Sequence, residues 1–347
     1  MAPPVLLLLA AAGTFVTVSL AAMAALLVAR LFRERAAAGQ VRLSSATRRV
    51  FLEAMRGGPQ TQAAFAPLRR RPAMAAEALL EIAGLVHGRE RERRLEALVK
   101  NGYLACLLSA AAQGRSRQLC VEAIGVFPRT AVEPALRVLL QDRVGVIQLT
   151  AAVSLLAIGA PLSVSAVLHL MPISDGHSGL MGELVRRVVR SDPAGGQAAL
   201  SRSDLSPLTR ALLLDSLGTG GDYSSVPILL RHVDVQNFVV RTAAVLALGR
   251  LMHPKGREAV ALALDDAHWC VRAAACHAIG LGSFDTLLGP LSARLSDSVW
   301  SVRYRAAEAM KALGAAGHLQ LEEASRVSVD PTVRDLALCA LFEARAA

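Results

Sequence analysis

A spacing of 31 residues runs through the chain and decides how it can fold. Arginines recur at this spacing, five of them in consecutive steps and one three steps earlier: Arg117, Arg210, Arg241, Arg272, Arg303 and Arg334. Small or apolar residues follow these arginines at fixed offsets, often ending in glycine. A repeat of this length is typical of stacked helical units, which bury a core only against their neighbours. We therefore predict an array of helical repeats without a β-sheet.

Each repeat carries signals for two helices. An aspartate lies six or seven residues before most positions of the arginine lattice: Asp142, Asp204, Asp234, Asp266 and Asp297. It is predicted to cap the second helix, because its carboxylate accepts hydrogen bonds from first-turn amides. Proline is favoured in the first turn of a helix, so Pro134, Pro227 and Pro290 are predicted to begin the first helix. Each unit is then an antiparallel helix pair of about 31 residues, and its Asp and Arg pair or cap between adjacent units.

The segment 266–280 resembles the signature of the HEAT repeat family in its short bacterial form. The matching residues follow the pattern D-x4-V-R-x2-A-x2-A-[LI]-G: Asp266, Val271, Arg272, Ala275, Ala278, Ile279 and Gly280. The similarity is clearest over 222–343 and weak between 160 and 200. The resemblance implies an all-α fold, a HEAT-type α-solenoid of about 7–8 helix pairs over 91–347, whose surface holds a protein partner.

The N-terminal region predicts a membrane anchor. From Val5 to Ala29 the chain carries no charge, and as a helix this run would be about 37 Å long, enough to cross a hydrocarbon core of about 30 Å. Arginines follow at once, which by the positive-inside rule places the N-terminus outside and the remaining chain in the cytoplasm. We predict one transmembrane helix in 1–30, a basic juxtamembrane linker at 31–43, membrane-proximal helices at 44–90 and repeats at 91–347. The alternative is a cleaved signal peptide.

One side of the predicted anchor carries small residues at every fourth position, namely Gly13, Thr17, Ala21 and Ala25. Such a stripe allows two transmembrane helices to approach closely. A segment this rich in alanine also produces the pattern without any packing role. Both interpretations of the stripe stay open at the level of the sequence.

Positive charge is concentrated next to the predicted anchor. The formal net charge is +10, and residues 30–100 hold 15 basic and 7 acidic side chains. Anionic lipid attracts such a region. Nucleic acid is not expected as a partner, because its binding needs a basic stripe and aromatic platforms along the repeats. The two tryptophans of the chain, Trp269 and Trp300, occupy matching repeat positions and are predicted to pack between repeats.

The sequence offers few signals for catalysis. The histidines are scattered, the five cysteines form no CxxC pair, and the chain has no phosphate-binding loop or nucleophile elbow. We therefore predict no catalytic, cofactor-binding or metal site and no enzyme activity. The alternative is a HEAT-type enzyme recruited to the membrane, similar to the lyases that attach bilins or to the DNA glycosylases that act on alkylated bases.

The irregular stretch between 160 and 200 is the predicted binding region. Insertions in repeat arrays often lie on a binding face, and the candidate side chains are Asp175, His177, Arg186, Arg187 and Arg190. The alternative is a neutral irregularity without a partner. The sequence thus predicts a non-catalytic scaffold at the cytoplasmic face of a bacterial inner membrane, with an inner-membrane protein as its partner. Resemblance to membrane-anchored HEAT proteins implies an accessory role in a membrane glycosyltransferase or exopolysaccharide system.

Overall fold

The structure, a computed structural model, describes residues 71–84, 88–113, 116–170 and 179–346, and the regular elements in these ranges are helices joined by turns. These ranges contain no β-strand, which confirms the predicted all-α class. Within them, no helix has both the length and the apolar character needed to cross a bilayer. The predicted anchor with its small-residue stripe, the linker 31–43 and most of the membrane-proximal segment lie outside the described residues.

The chain divides into two compact units between Ala160 and Pro161. In the first unit, the predicted repeat boundary at residue 90 falls inside a helix, and one described helix, Pro72–Ala83, lies within the predicted membrane-proximal segment 44–90. Its described helices are α1 (Pro72–Ala83), α2 (Gly88–Lys100), α3 (Tyr103–Gln113), α4 (Arg117–Ile124), α5 (Arg129–Leu139) and α6 (Gly145–Ala157).

The second unit is an array of helix pairs. In the numbering given below, each even-numbered helix follows a shorter helix and packs on the next even-numbered helix. Short 3₁₀ turns flank α11 and α15. Its described helices are α7 (Val164–His169), α8 (Gly179–Ser191), α9 (Pro193–Ala199), α10 (Pro207–Gly220), α11 (Val226–Leu230), α12 (Phe238–Leu251), α13 (Gly256–Ala263), α14 (Trp269–Gly282), α15 (Leu288–Ala293), α16 (Trp300–Ala312), α17 (Ala315–Val327) and α18 (Pro331–Ala346).

The predicted repeat length is confirmed by where the helices begin. The even-numbered helices α10, α12, α14, α16 and α18 start at residues 207, 238, 269, 300 and 331, so each begins 31 residues after the previous one. The first described residue of α8 is Gly179, and the register position 31 residues before Pro207 lies in 171–178, outside the described residues. The neighbours α7 and α9 have 6 and 7 residues, within the range of α11, α13 and α15. The irregular unit between 160 and 200 therefore stays a prediction.

Three of the six lattice arginines pair with an aspartate of the next repeat, as predicted. The guanidinium of Arg272 donates to both carboxylate oxygens of Asp297 at 2.8 and 2.9 Å. Arg241 makes the same pair with Asp266, and Arg117 pairs with Asp142. In each case the aspartate stands 25 residues later, in the next repeat. A planar guanidinium suits this two-point contact with a carboxylate.

The lattice breaks where the next repeat lacks an aspartate at that position. The residue 25 positions after Arg210 is Val235, and the one after Arg303 is Ser328. Arg210 instead donates to the carbonyl oxygens of Leu200 and Arg202. An arginine without a carboxylate thus still satisfies backbone acceptors of the turn before its own helix.

The prediction that the aspartate caps the second helix was wrong in its position. The N-cap of α14 is His268, and the carboxylate of Asp266 accepts from the His268 backbone N–H at 2.7 Å. Asp297 likewise accepts from the N–H of Val299, the residue before α16. The carboxylate therefore fixes the turn that leads into the helix, while its other contact goes to the arginine of the preceding repeat.

The predicted role of proline holds for two of the three positions. Pro227 lies in the first turn of α11, and Pro290 is the third residue of α15. Pro134 does not begin a helix, because α5 starts at Arg129 and contains Pro134 in its interior. Ion pairs of Glu133 with Arg129 and Arg137 bridge the helix turns on both sides of this proline.

Small residues bring consecutive even-numbered helices into close contact, as the sequence predicts for the repeat alanines. Ala244, Ala275 and Ala306 are fully buried. A Cβ atom built on Gly249 would lie 2.6 Å from the Cα and Cβ of Ala278 in the next helix. Backbone approach at this distance leaves no space for a larger side chain. The structural role predicted for these positions is therefore confirmed.

Cysteine reactivity should follow burial. Burial raises the pKa of the Cys276 thiol to about 12, whereas the Cys339 side chain is exposed. Because the thiolate is the reacting species, we expect a maleimide to modify Cys339 quickly in the folded protein and Cys276 only after unfolding. Mass spectrometry of the labelled peptides measures both. Equal labelling of the two cysteines in the folded protein would contradict the packing of α14.

Candidate interaction groove

An open groove lies across three consecutive even-numbered helices of the second unit. It has a volume of about 460 Å³ and is formed by α12, α14 and α16. Its floor is α14, where Cys270, Ala273 and Ala274 lie on one face at helical spacing. The groove exists because these side chains are small, while the corresponding positions of α16 carry Tyr304 and Arg305.

Aromatic rings form one side of the groove. Trp269 and Trp300 are the first residues of α14 and α16, and their side chains remain 42 % and 59 % exposed. The ring of Trp300 stacks on Tyr304, one turn further along the helix, with centroids 5.2 Å apart. The prediction that both tryptophans pack between repeats was therefore wrong. They line an open groove instead.

The same position of the preceding helix continues the aromatic row. Phe238 is the first residue of α12 and stacks on the His268 imidazole, with ring centroids 3.7 Å apart. His268 in turn lies beside Trp269 at 6.1 Å. Three successive repeats thus present an aromatic ring where the even-numbered helix begins.

Of the two arginines near His277 in the groove, one has an ion-pair partner among the described residues and the other has none. Arg305 lines the groove, is exposed, and has no ion-pair partner among the described residues. Burial lowers the pKa of His277, and the nearby cations Arg305 and Arg250 lower it further, which favours the neutral imidazole. Arg250 itself pairs with Asp215 of α10. The groove therefore offers one guanidinium that is free to bind a ligand.

Of the residues predicted from the irregular stretch, those that the structure describes do not line the groove. Asp175 and His177 lie outside the described residues. Arg186 of α8 is half-buried and lies 3.5 Å from Glu183 and 3.6 Å from Asp215, while Arg187 and Arg190 are exposed on the same helix. Asp215 links Arg186 to Arg250, so one charge network joins α8, α10 and α12.

Sequence reasoning missed the groove itself. The available signal was the pair Trp269 and Trp300 at a separation of 31 residues, together with Tyr304 one helical turn after Trp300. Matching positions show that two residues have equivalent surroundings. They do not show whether a neighbouring helix or solvent covers them.

A second depression, of about 620 Å³, lies on the first unit. Its lining comes from the start of α1 and from Gly102 and one face of α3, where Cys106 and Gln113 are the largest polar groups. The lining contains no charged side chain and no aromatic ring. It offers no specific recognition chemistry comparable to the groove on α12, α14 and α16.

No cluster of three or more His, Cys, Asp or Glu side chains suited to a metal ion is found in the described part of the chain. The lining of the groove also contains no carboxylate. Burial raises the pKa of Cys270, the thiol on the groove floor, which disfavours its nucleophilic thiolate form. The arrangement supplies apolar and aromatic contact, one imidazole and one guanidinium.

Comparison with solved structures finds helical proteins of low sequence identity. An engineered protein is 16% identical, with 88% of this chain and 95% of that chain covered and a TM-score of 0.34. A mutant of Kap121p is 12% identical, with a TM-score of 0.44; the alignment covers 87% of this chain and 41% of that one. Human deoxyhypusine hydroxylase in complex with glycerol is 16% identical, with coverages of 89% and 99% and a TM-score of 0.31.

Among curated proteins, none matches the sequence significantly. A family match exists for residues 257–341, which match the family described as HEAT repeats. This range contains α14 and α16, and therefore both tryptophans and the floor of the groove. The resemblance predicted from the sequence is confirmed, and this part of the chain is built from HEAT repeats.

Proposed function

We propose that this chain is a non-catalytic scaffold that binds a protein partner in the groove formed by α12, α14 and α16. The observation that carries the proposal is the exposure of Trp269, Trp300 and Tyr304 around a floor of small side chains. Tryptophan and tyrosine are the residues most enriched at the energetic centres of protein interfaces. Such rings exposed together on a folded surface are typical of an interaction site.

The chemistry of the groove favours binding over catalysis. General acid–base catalysis needs a titratable group close to the substrate, and His277 is the single side chain in the lining whose ordinary pKa lies near neutrality. The lining contains no carboxylate, so we favour binding over the enzyme alternative.

We further propose that the scaffold is tethered to a bacterial inner membrane by one helix within residues 1–30, with the repeats in the cytoplasm. The uncharged run from Val5 to Ala29 and the arginines that follow it support this topology. Anionic lipid would bind the basic region 30–100. The partner would be an inner-membrane protein, and accessory binding to a glycosyltransferase of an exopolysaccharide system fits this placement. Nucleic acid is not proposed as a partner.

The proposed partner site is tested by quantitative co-purification of the full chain from detergent-solubilised membranes. We expect Trp269→Ala combined with Trp300→Ala to lower the recovered partner at least about tenfold, since truncation of an aromatic hot spot costs about 2 kcal/mol or more. Leu262→Ala is the matched control, because Leu262 is 72 % exposed but lies on α13, in the other helix layer. Equal recovery with all three proteins would refute binding through the groove.

The proposed topology has a separate test. Fusion of a reporter enzyme to the C-terminus should give activity only for a reporter that works in the cytoplasm. N-terminal sequencing should show that the mature chain begins within the first few residues of the sequence. A reporter active only in the periplasm, or a mature N-terminus beyond residue 20, would overturn the anchor.

A further inference from the structure

We infer that the groove binds an acidic, proline-containing segment of the partner in the polyproline II conformation. This inference rests on the proposed function and specifies the occupant of the same groove. Two features of the described residues support it: exposed tryptophans at equivalent positions of two neighbouring packed helices, and the guanidinium of Arg305, which has no ion-pair partner among these residues.

The separation expected between the two helices that carry the tryptophans fits the repeat of a polyproline II segment. Trp269 and Trp300 occupy the same position in neighbouring packed helices, whose axes in proteins lie about 8–10 Å apart. A polyproline II helix has three residues per turn and a rise of about 3.1 Å, so every third residue lies on the same face at intervals of about 9 Å. Two prolines three residues apart can therefore contact the two tryptophans at once.

A β-strand fits the two helices less well. In a β-strand, side chains on one face repeat at about 6.6–6.8 Å, which is shorter than the separation of about 8–10 Å between packed helices.

Proline also suits the chemistry of the rings. Its flat, apolar ring packs against aromatic faces, and grooves lined by aromatic residues are the usual receptors of proline-rich segments. The segment is already close to its bound conformation, so binding costs less conformational entropy. Trp300 and Tyr304 stack on each other with their planes 16° apart and together present a broad aromatic surface.

The sign of the charge follows from Arg305 and its surroundings. Arg305 lacks an ion-pair partner in the described residues, and both Arg305 and Arg250 lie close enough to His277 to lower its pKa. A cationic ligand would be repelled here, whereas a carboxylate would form a charge-assisted hydrogen bond with the guanidinium. An acidic residue within the proline segment is thus expected.

A single-stranded nucleic acid would also bring negative charge and flat rings, but the face carries charges of both signs. Asp215 and Glu308 lie at the positions of α10 and α16 that correspond to His277 in α14. A phosphate backbone favours a continuous basic groove. A peptide with separated carboxylates avoids these two acidic side chains more easily, so the peptide is the occupant that the charges favour.

The experiment uses the intrinsic fluorescence of the full chain in detergent. Both tryptophans of the protein line the groove, so their emission reports directly on its occupancy. We expect a peptide of repeated Pro-Pro-Glu triplets to change the emission saturably. Arg305→Ala should weaken this binding about tenfold, as expected for the loss of a hydrogen bond between charged groups, and Arg305→Lys should restore part of it. Arg257→Ala, which changes an exposed arginine of α13 in the other helix layer, should leave it unchanged.

Three further probes decide between occupants. Peptides of Pro-Pro-Lys and Ala-Ala-Glu triplets should bind at least about tenfold more weakly, because each lacks one of the two recognised features. Oligothymidylate should also bind more weakly than the Pro-Pro-Glu peptide. No saturable change with Pro-Pro-Glu, equal binding of Pro-Pro-Lys, or tighter binding of oligothymidylate would each overturn the inference. If the co-purified partner still depends on Trp269 and Trp300 in that case, the proposed function stands and only the occupant is wrong.

Discussion

Gly249→Ala is expected to destabilise the second unit by about 1–3 kcal/mol, the usual cost of overpacking a tight interface. The new methyl group would lie 2.6 Å from the Cα and Cβ of Ala278 and 2.9 Å from its carbonyl oxygen. These are mostly backbone atoms, which cannot rotate away, so α12 and α14 would have to move apart. The loss should exceed the gain of about 1 kcal/mol that alanine brings over glycine inside a helix. Urea unfolding of the full chain measures the difference.

Gly289→Ala is the matched control for this substitution. Gly289 lies in α15, and no atom would come within 4 Å of a Cβ added there. We expect an unfolding free energy within about 1 kcal/mol of the parent's, because the higher helical preference of alanine is opposed by the following Pro290, which disfavours helical backbone at a residue with a Cβ. If Gly249→Ala lowered the unfolding free energy no more than Gly289→Ala does, the close approach of α12 and α14 would be wrong.

Asp297→Asn should cost about 2–4 kcal/mol, because it removes the charge from a nearly buried ion pair. The Asp297 side chain is only 4 % exposed, and its two oxygens accept from Arg272. Asparagine keeps an oxygen for the backbone N–H of Val299 but leaves the guanidinium without its counter-charge. Thermal or urea unfolding at neutral pH measures this loss.

The same substitution should change the response to acid. Hydrogen bonds from Arg272 hold the pKa of Asp297 below its ordinary value of 3.8. A carboxyl group with a lowered pKa in the folded state contributes stability that is present above its ordinary pKa and is lost as the pH falls through the folded pKa. As the pH falls from about 5 to about 2, the parent chain should therefore lose more stability than the Asp297→Asn variant.

Asp265→Asn provides the control for both measurements. Asp265 pairs with Arg294 at 2.9 Å, but its side chain is 75 % exposed. Ion pairs in water contribute about 0–1 kcal/mol, so this variant should differ little from the parent at any pH. Equal effects of the two substitutions would show that the pairs between repeats contribute no more than surface pairs.

The repeat pattern predicted most of the helical framework because packing requires it. Stacked helices must approach closely at the same position in every repeat, so alanine and glycine recur there and reveal the period. The pairing of Arg272 with Asp297 was also predictable, since both residues recur at a fixed separation. The position of the cap was not predictable, because an aspartate can accept hydrogen bonds from backbone amides at several offsets. The choice of His268 as the N-cap depends on the geometry of the turn.

The groove could not be predicted because the exposure of a side chain depends on the size of its neighbours, which the 31-residue repeat does not specify. Trp269 and Trp300 recur like core residues, yet they stand at helix starts beside Ala273 and Ala274, which are too small to cover them. The interior position of Pro134 in α5 was missed for a similar reason. Proline is preferred at helix starts, but an ion-paired helix can continue through it.

Site-specific photo-crosslinking in cells tests the central claim, that the groove on α12, α14 and α16 holds a protein partner. A photoreactive phenylalanine derivative replaces Tyr304 in the groove or, in a second protein, Leu262 on α13. The account predicts an adduct with one defined protein from position 304, none from position 262, and loss of the adduct when Trp269 is replaced by alanine. Equal adducts from both positions, or an adduct from position 262 alone, would contradict it.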